Sequence, residues 1–578
     1  MRDFLSREVY IIIHNGARYD LPVLEKLLGI EIKAKIIDSL PIAWAIDPDR
    51  SSYGLESYGI DFGIPKPEIE DWEFLTPEKY RHRCEEDVKI NSFLWKKLWR
   101  RLSLLYKNEE QALKYCEYLT FKMRCAQRQE EARWKLDVDK AKELYDKLVQ
   151  EKEEKVIALK WAMPRIPIIQ EKTKPTVLNK KDGTLSKRGQ EWFDLLKELN
   201  LPENTEVVNV VKGYEEPNPS STPQLKAWLK SLGWKPQTLK TVVNKQTGES
   251  RQVEQINLPN GGGVCESVLE LVEKDENVRL LDGLSVLGHR IPLVRGFLNA
   301  VDSEGYIKAQ VQGLTNTLRF IHAVAVNIPR IDRPYGKEIR SLLTAPEGYE
   351  LCGSDMKSLE DRLKQHYIYP LDPDYVNEMN KEDWDPHLDL ALSASAVTIN
   401  QVIAYKSEID TSIKPIRSIF KNGNYACQYG AGPPRLAITC NVDLSKAKEI
   451  HEAYWKRNWA IKEVASQQVI KEVDGYMWLL NPVNKYYYFL KYKKDVFSTL
   501  VQGTASYVFD LWIAFVLKQR DQLTFQFHDE GGWTIPLGFR KEMTKILTKA
   551  IDQTNKVLKL NRELGIDIQF GPNYAAIH

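Results

Sequence analysis

The stretch Thr524-Phe525-Gln526-Phe527-His528-Asp529-Glu530-Gly531-Gly532-Trp533-Thr534-Ile535 reads as strand, acidic turn, strand. A second strand, Tyr349-Glu350-Leu351-Cys352-Gly353-Ser354-Asp355, ends in an acid and runs at once into a helical stretch. An Asp at the end of one strand and acids at the tip of a hairpin are how two distant segments place carboxylates around a pair of divalent cations. Two such ions, about 3.5–4 Å apart, activate an attacking oxygen and stabilise a leaving one. Taken singly, each acid has a plainer use. Asp at strand ends and turns satisfies local backbone donors, and Asp529 beside Gly531-Gly532 is open to that reading.

Between the two strands lies Arg417-Ser418-Ile419-Phe420-Lys421-Asn422-Gly423-Asn424-Tyr425-Ala426-Cys427-Gln428-Tyr429-Gly430. On a helix, positions 417, 421, 425 and, less closely, 429 share one stripe. Arg417 and Lys421 would then present adjacent cations suited to a triphosphate, and Tyr425 and Tyr429 flat rings suited to a base. Spacing alone favours the plainer reading of a half-buried helix face whose cations snorkel to solvent. Gly423 costs such a helix about 1 kcal/mol relative to Ala.

The remainder of the chain sets the bounds. At about 150 residues per domain, 578 residues allow roughly three or four domains. The 82 Lys and Arg against 80 Asp and Glu leave a net charge of +2, so no global basic signature marks a nucleic-acid binder. A basic groove offset by acidic surface elsewhere gives the same sum. No uninterrupted apolar run approaches the ~18 residues of a membrane span, and Met1-Arg2-Asp3 before the short Val9–Ile13 strand does not suit a signal peptide. Seven cysteines form no CxxC pair, which favours free thiols in a reducing cytoplasm over a disulfide framework or a zinc site. Residues 1 to about 95 alternate strand and helix, and about 96–160 turn helical and charged. Met163 to Pro219 is rich in Pro and Lys, with Lys172, Lys174, Lys180 and Lys181 as a basic edge. Lys485-Tyr486-Tyr487-Tyr488-Phe489-Leu490-Lys491-Tyr492-Lys493-Lys494 mixes stacking surfaces with phosphate partners; an amphipathic strand is the alternative, and duplex contact is expected.

The order strand-Asp, then Arg-x3-Lys-x3-Tyr-x3-Tyr-Gly, then His-Asp-Glu resembles the family A (Pol I-like) DNA polymerases. Asp355–Arg362 resembles their motif A, Arg417–Gly430 their motif B and His528-Asp529-Glu530 their motif C. Asp385-Pro386-His387, Gln502-Gly503-Thr504-Ala505 and Gly571-Pro572-Asn573-Tyr574 make the replicative polymerases of short-tailed phages the nearest likeness. The resemblance implies an α/β multidomain right hand behind an incomplete RNase H-like 3′–5′ exonuclease domain. The implied bounds are 1–100 for the exonuclease-like part and 101–308 for the thumb, 309–385 with 485–578 for the palm, and 386–484 for the fingers. It implies two Mg²⁺ held by Asp355, Asp529 and the Met356 backbone, with Glu530 beside them. Arg417, Lys421 and His387 would hold the dNTP triphosphate, and Lys421 would protonate the pyrophosphate. Glu360 and Tyr425 would crowd the sugar 2′ position. Tyr429, Arg319, Gln502 and His528 would touch primer–template DNA. Ala426 and Ser498 stand where the family commonly has Gly and Asn, and Thr317-Leu318-Arg319 matches its Thr-Gly-Arg loosely.

At the front, His14–Asp20 resembles the second exonuclease motif and Arg83–Asp87 the third, which leaves Asp20 and Asp87 as remnant ligands. The first motif, an upstream Asp-x-Glu strand, has no counterpart, so little or no proofreading is expected. Residues 163–219 fall where the phage relatives bind a thioredoxin-like processivity factor. A cytoplasmic setting is implied, that of the bacterial host for a phage-encoded chain, with no membrane partner. Two other functions stay open here: a single-subunit RNA polymerase, and a non-catalytic replication scaffold that binds DNA.

Overall fold

The computed structural model describes residues 5–7, 9–66, 76–243, 250–258, 263–428 and 430–578. The chain divides into two compact units, one of Met1–Lys142 with Val294–His578 and one of Glu143–Leu293. The smaller unit occupies the interior of the stretch expected as thumb, while the flanks of that stretch pack in the larger one.

The larger unit begins with β1 (Tyr10–Ile13), α1 (Asp20–Leu28) and β2 (Lys35–Asp38), the two strands pairing in parallel from Tyr10↔Lys35 to Ile13↔Asp38. Two long helices follow, α2 (Pro77–Leu105) and α3 (Glu109–Ala132). Thr76 caps α2 through the Lys79 amide, and Leu94, Leu98, Leu102 and Leu105 give it one buried stripe. In the smaller unit, β3 (Ile166–Thr173) and β4 (Val207–Glu215) form an antiparallel ribbon that brackets α4 (Lys187–Glu198). Trp192, Leu196 and Val208 make a small core there, so the Pro- and Lys-rich segment is ordered structure rather than loop. The unit's main core gathers Trp228, Leu229, Trp234, Val268 and Leu281.

Back in the larger unit, the hairpin β5 (Val311–Leu314) and β6 (Phe320–His322) precedes β7 (Tyr349–Met356) and α5 (Leu359–Ile368). A helical segment holds α6 (Pro386–Ser393), α7 (Lys414–Gln428) and α8 (Leu444–Arg457). The chain returns through β8 (Tyr476–Leu480), β9 (Tyr487–Leu490), α9 (Val496–Leu517), the hairpin β10 (Phe525–Phe527) and β11 (Glu530–Pro536), α10 (Arg540–Leu558) and β12 (Ile566–Gly571). One antiparallel sheet, in the order β10-β11-β7-β12, carries the decisive strands. Leu351 to Ser354 are buried without alternation, as befits a central strand covered on both faces. Gly532 is required in β11, because a Cβ there would meet the Phe525 ring at 2.0 Å.

Three expectations change. The aromatic run of 485–494 is mostly core: Tyr486 and Tyr488 are 9% and 1% exposed, on or beside strand β9, and Tyr486 stacks on Tyr118. Those rings are therefore not offered to bases, and the exposed residues of the run are at its two ends, Lys485 and Lys491–Lys494. Gly423 does not break α7; it lets α8 approach, since a Cβ would come 2.8 Å from Ile450. Among the described residues one helix, Lys493–Leu517, is long and apolar enough to cross a membrane by length and composition. It is the core helix of the larger unit, and its Asp510 is ion-paired with Lys122 of α3 at 2.6 Å, both 2% exposed.

Candidate active site

Strand register assembles the acids. Asp355, at the end of β7, stands opposite Glu530 on β11 and opposite Asp567 on β12. The β10–β11 turn is pinned beside them because the Met356 amide donates to the Asp529 carbonyl at 3.0 Å. His528, in the same turn, takes a left-handed φ of 52°. Asp355 faces solvent while its strand neighbours are buried. Partial burial, then the charges of Asp529 and Glu530, push its carboxyl up to about 7. Asp529 is raised too, mainly by burial, with Arg319 opposing. This is what uncompensated carboxylates do when crowded together. Among the described residues no three or more His, Cys, Asp or Glu form a metal-binding group. Oxygen-only donors such as these match how hard divalent cations are held. The residues present fit such a cation.

Arg319 leaves the β5–β6 turn next to Leu318, whose φ is 63°. Its amide donates to Thr315 Oγ1 at 3.1 Å and its guanidinium reaches Glu360 at 2.5 Å. Arg319 also adds its charge to the surroundings of His528 and Asp529, so Arg319, Glu360, His528 and Asp529 form one group. A cavity of about 420 Å³ has Asp355, Asp529, Glu530, His322 and Arg340 in its wall.

The second group lies on α6 and α7. Asp385 caps α6 by accepting from the His387 and Leu388 amides at 2.8 and 3.0 Å, with Pro386 in the first turn. The same carboxylate holds Arg417 of α7 at 2.6 Å. Backbone donors and Arg417 outweigh burial and hold Asp385 below the usual carboxylate range. The His387 ring lies 5.5 Å from that of Tyr425, and burial lowers its pKa. Lys421 and Tyr425 are exposed on α7, one helical turn apart. Gln502 is half-buried on α9, and Ser498 donates to the Asp495 carbonyl at 3.0 Å. Tyr429 lies outside the described residues.

Of the N-terminal pair, Asp20 is exposed at the start of α1, and Asp87 on α2 is ion-paired with Lys66 at 2.5 Å. A fully buried acid at that end is Asp38, which accepts from the Asn15, Ala17 and Leu40 amides and is pushed up to about 6 by burial.

Sequence reasoning missed Asp567 and Asp385 as members of the two groups. The alternation Ile566-Asp567-Ile568-Gln569-Phe570 marks a strand, but its partner is revealed only by register. Asp385 carries a sharper signal, since Asp-Pro is a helix-start pair.

The fold has solved counterparts. The "POL domain of Pol1 from M. smegmatis complex with DNA primer-template and dNTP" matches with a TM-score of 0.67 at 16% identity, over 100% of this chain and 88% of that one. In sequence, DNA polymerase I of Helicobacter pylori is 28% identical over 222 residues, which is 35% of this chain and 23% of that protein. DNA polymerase I of Deinococcus radiodurans is 24% identical over 285 residues, 46% of this chain and 28% of that protein. The chain thus spans about a quarter of the length of these curated relatives. The DNA polymerase family A model matches residues 198–576, which contain both groups of side chains and more than half of the sequence. By that match the chain belongs to DNA polymerase family A.

Proposed function

We propose that this chain copies a DNA template by adding dNTPs to a primer 3′-OH. The observation that carries the reading is the crowding of Asp355 against Glu530 and Asp567 by register, with Asp529 at the adjoining turn. Asp355, Asp529 and the Met356 backbone would hold two Mg²⁺ there, with Glu530 beside them. When bound, the ions neutralise phosphate charge and make the primer hydroxyl a better nucleophile.

The protein's own groups position the reactants. Arg417, fixed by Asp385, offers a planar fork to phosphate oxygens, and His387 stands behind it. Lys421, one turn along α7, is free to turn toward the departing pyrophosphate and give it a proton. Tyr425 flanks the nucleotide, and Glu360, held by Arg319, crowds the sugar 2′ position. Arg319, Gln502, His528 and Tyr429 would bear on the primer–template end. Most of the rate would come from positioning and charge neutralisation, as is general for phosphoryl transfer.

The remaining assignments follow the same reading. Palm is 309–385 with 485–578, fingers 386–484, thumb 101–308, and 1–100 an exonuclease-like part with proofreading absent or impaired. The salt bridge on Asp87 supports that last point, because it spends a carboxylate that a metal site needs. The ribbon and helix of 163–219 would dock a thioredoxin-like processivity factor in phage-type replication within a bacterial cytoplasm. Primer extension by wild type and by Asp529→Ala tests the core claim. Equal extension by both refutes the site, none by wild type favours a scaffold, and equal use of rNTPs favours an RNA polymerase.

A further inference from the structure

Glu530 is 9% exposed and its carboxylate is held from outside the hairpin that carries it. Tyr574 Oη donates to Oε2 at 2.9 Å, and His578 Nε2 lies 2.9 Å from Oε1. Tyr574 itself has little freedom. It is 3% exposed, with Trp134 and Phe525 edge-on to its ring at 4.9 and 5.3 Å between centroids. The Arg340 guanidinium lies 4.4 Å from the ring centroid, and Arg340 is anchored in turn by its Nε–H to the Pro329 carbonyl at 2.7 Å. A cation stacked on a phenol draws electron density from it and strengthens its O–H as a donor. Burial, then the charge of Glu530, keeps the phenol protonated far above its usual range, so the hydroxyl acts on Glu530 only by donating. The carboxylate it holds faces Asp355 across the strand pair, and Tyr574, Arg340, Glu530 and Asp355 share one cavity wall.

We propose that Tyr574, steadied by Arg340, is a positioning residue that fixes the Glu530 carboxylate beside Asp355. The inference rests on the polymerase reading and deepens it. It differs from the plain need of any buried hydroxyl for a partner, because it requires the effect of Tyr574 to run through Glu530.

Tyr574→Phe keeps the ring and its packing and removes only the donor. Single-nucleotide insertion is measured on a primer–template for wild type, Tyr574→Phe, Glu530→Ala and the double variant. Unfolding midpoints and Mn²⁺ affinity by electron paramagnetic resonance without DNA are measured on the same four chains. The expected result for Tyr574→Phe is a kcat about tenfold lower at an unchanged dNTP KM, with Mn²⁺ binding weakened severalfold. Its unfolding midpoint falls only by the small amount one lost hydrogen bond to a carboxylate accounts for, leaving the chain folded at the assay temperature, and it causes no further loss of kcat in the Glu530→Ala background. A wild-type kcat in Tyr574→Phe, or the same tenfold loss with Glu530 already absent, overturns the proposal. If wild type extends no primer, the polymerase reading fails and the Mn²⁺ measurement decides alone. Equal affinity in wild type and Tyr574→Phe, or no binding by either, then overturns the positioning role.

Discussion

The four-stranded sheet and the N-terminal two-stranded sheet both end strands in acids, yet they treat those acids in opposite ways. On the first, register sets Glu530 and Asp567 either side of Asp355, and among the described residues no cation is paired with it, so its carboxyl is pushed up to about 7. At the other end, Asp38 ends β2 but is buried under three backbone amides, and Asp87 is matched with Lys66. Arg18 of the same segment is spent on Glu130 of α3. A carboxylate with internal partners serves the fold. Glu530 has Tyr574 and Asp567 has Lys357, but Asp355 has no paired cation among the described residues, and a crowded carboxylate so placed costs stability unless a ligand arrives. The difference therefore separates a site from a scaffold more sharply than the identities of the residues do.

The largest effect expected follows directly. Asp529→Ala should lower primer extension by about a thousandfold or more, whereas Asp20→Ala and Asp87→Ala should leave the rate within about twofold. A comparable loss from either N-terminal substitution would break the distinction between the two regions.

Next comes a charge that the larger unit does neutralise. Lys122 of α3 is 2.6 Å from Asp510 of α9, which also accepts from Tyr118 and Gln526. Gln526 sits in β10, three residues before Asp529, so this pair ties α3 to the acidic hairpin. Lys122→Met should destabilise the chain by about 3–5 kcal/mol in urea unfolding, because it strands a buried carboxylate. Lys122→Met with Asp510→Leu should recover most of that loss, and failure to recover it would show that the network does more than pair charges.

Smaller still is the effect on α7. Lys421→Ala should lower kcat about a hundredfold, while Arg417→Ala should act mainly by raising the dNTP KM. If both variants changed KM alone, Lys421 would bind phosphate without moving a proton.

How much of this could be read beforehand varies with the range of the interaction. Strand Tyr349–Met356, the acidic hairpin and helix Lys414–Gln428 were legible, since periodicity and turn chemistry are local. Gly423 argued against that helix because the reason for it, the approach of Ile450, lies on another element. Asp567 was invisible because strand pairing brings it to Asp355 from far along the chain. Tyr486 and Tyr488 misled for the converse reason. A basic, aromatic run states composition, while its burial is decided by helix α3, whose Tyr115 and Tyr118 pack on Tyr486. The Arg319–Glu360 and Lys122–Asp510 pairs likewise join segments with no sequence link.

The smallest effect probes the contrast most directly, through pH. Burial and then Asp529 and Glu530 raise Asp355 from 3.8 to about 7. A carboxyl raised on folding binds its proton more tightly in the folded chain. The stability it contributes is thus full below pH 3.8 and is lost as pH climbs through about 7. Asp355→Asn has no such proton to lose. Without divalent cation it should match wild type near pH 4 and unfold at a higher temperature at pH 8. The carboxyl faces solvent, which screens the repulsion, so the gain is about 1 kcal/mol rather than the ~4 kcal/mol of the full shift. Adding Mg²⁺ at pH 8 should close the gap by stabilising wild type alone. Asp87→Asn should do the reverse at pH 8, losing stability by leaving Lys66 without its counter-charge, and Mg²⁺ should not restore it. Should both substitutions shift the midpoint in the same direction, the two regions would not differ in how they carry charge.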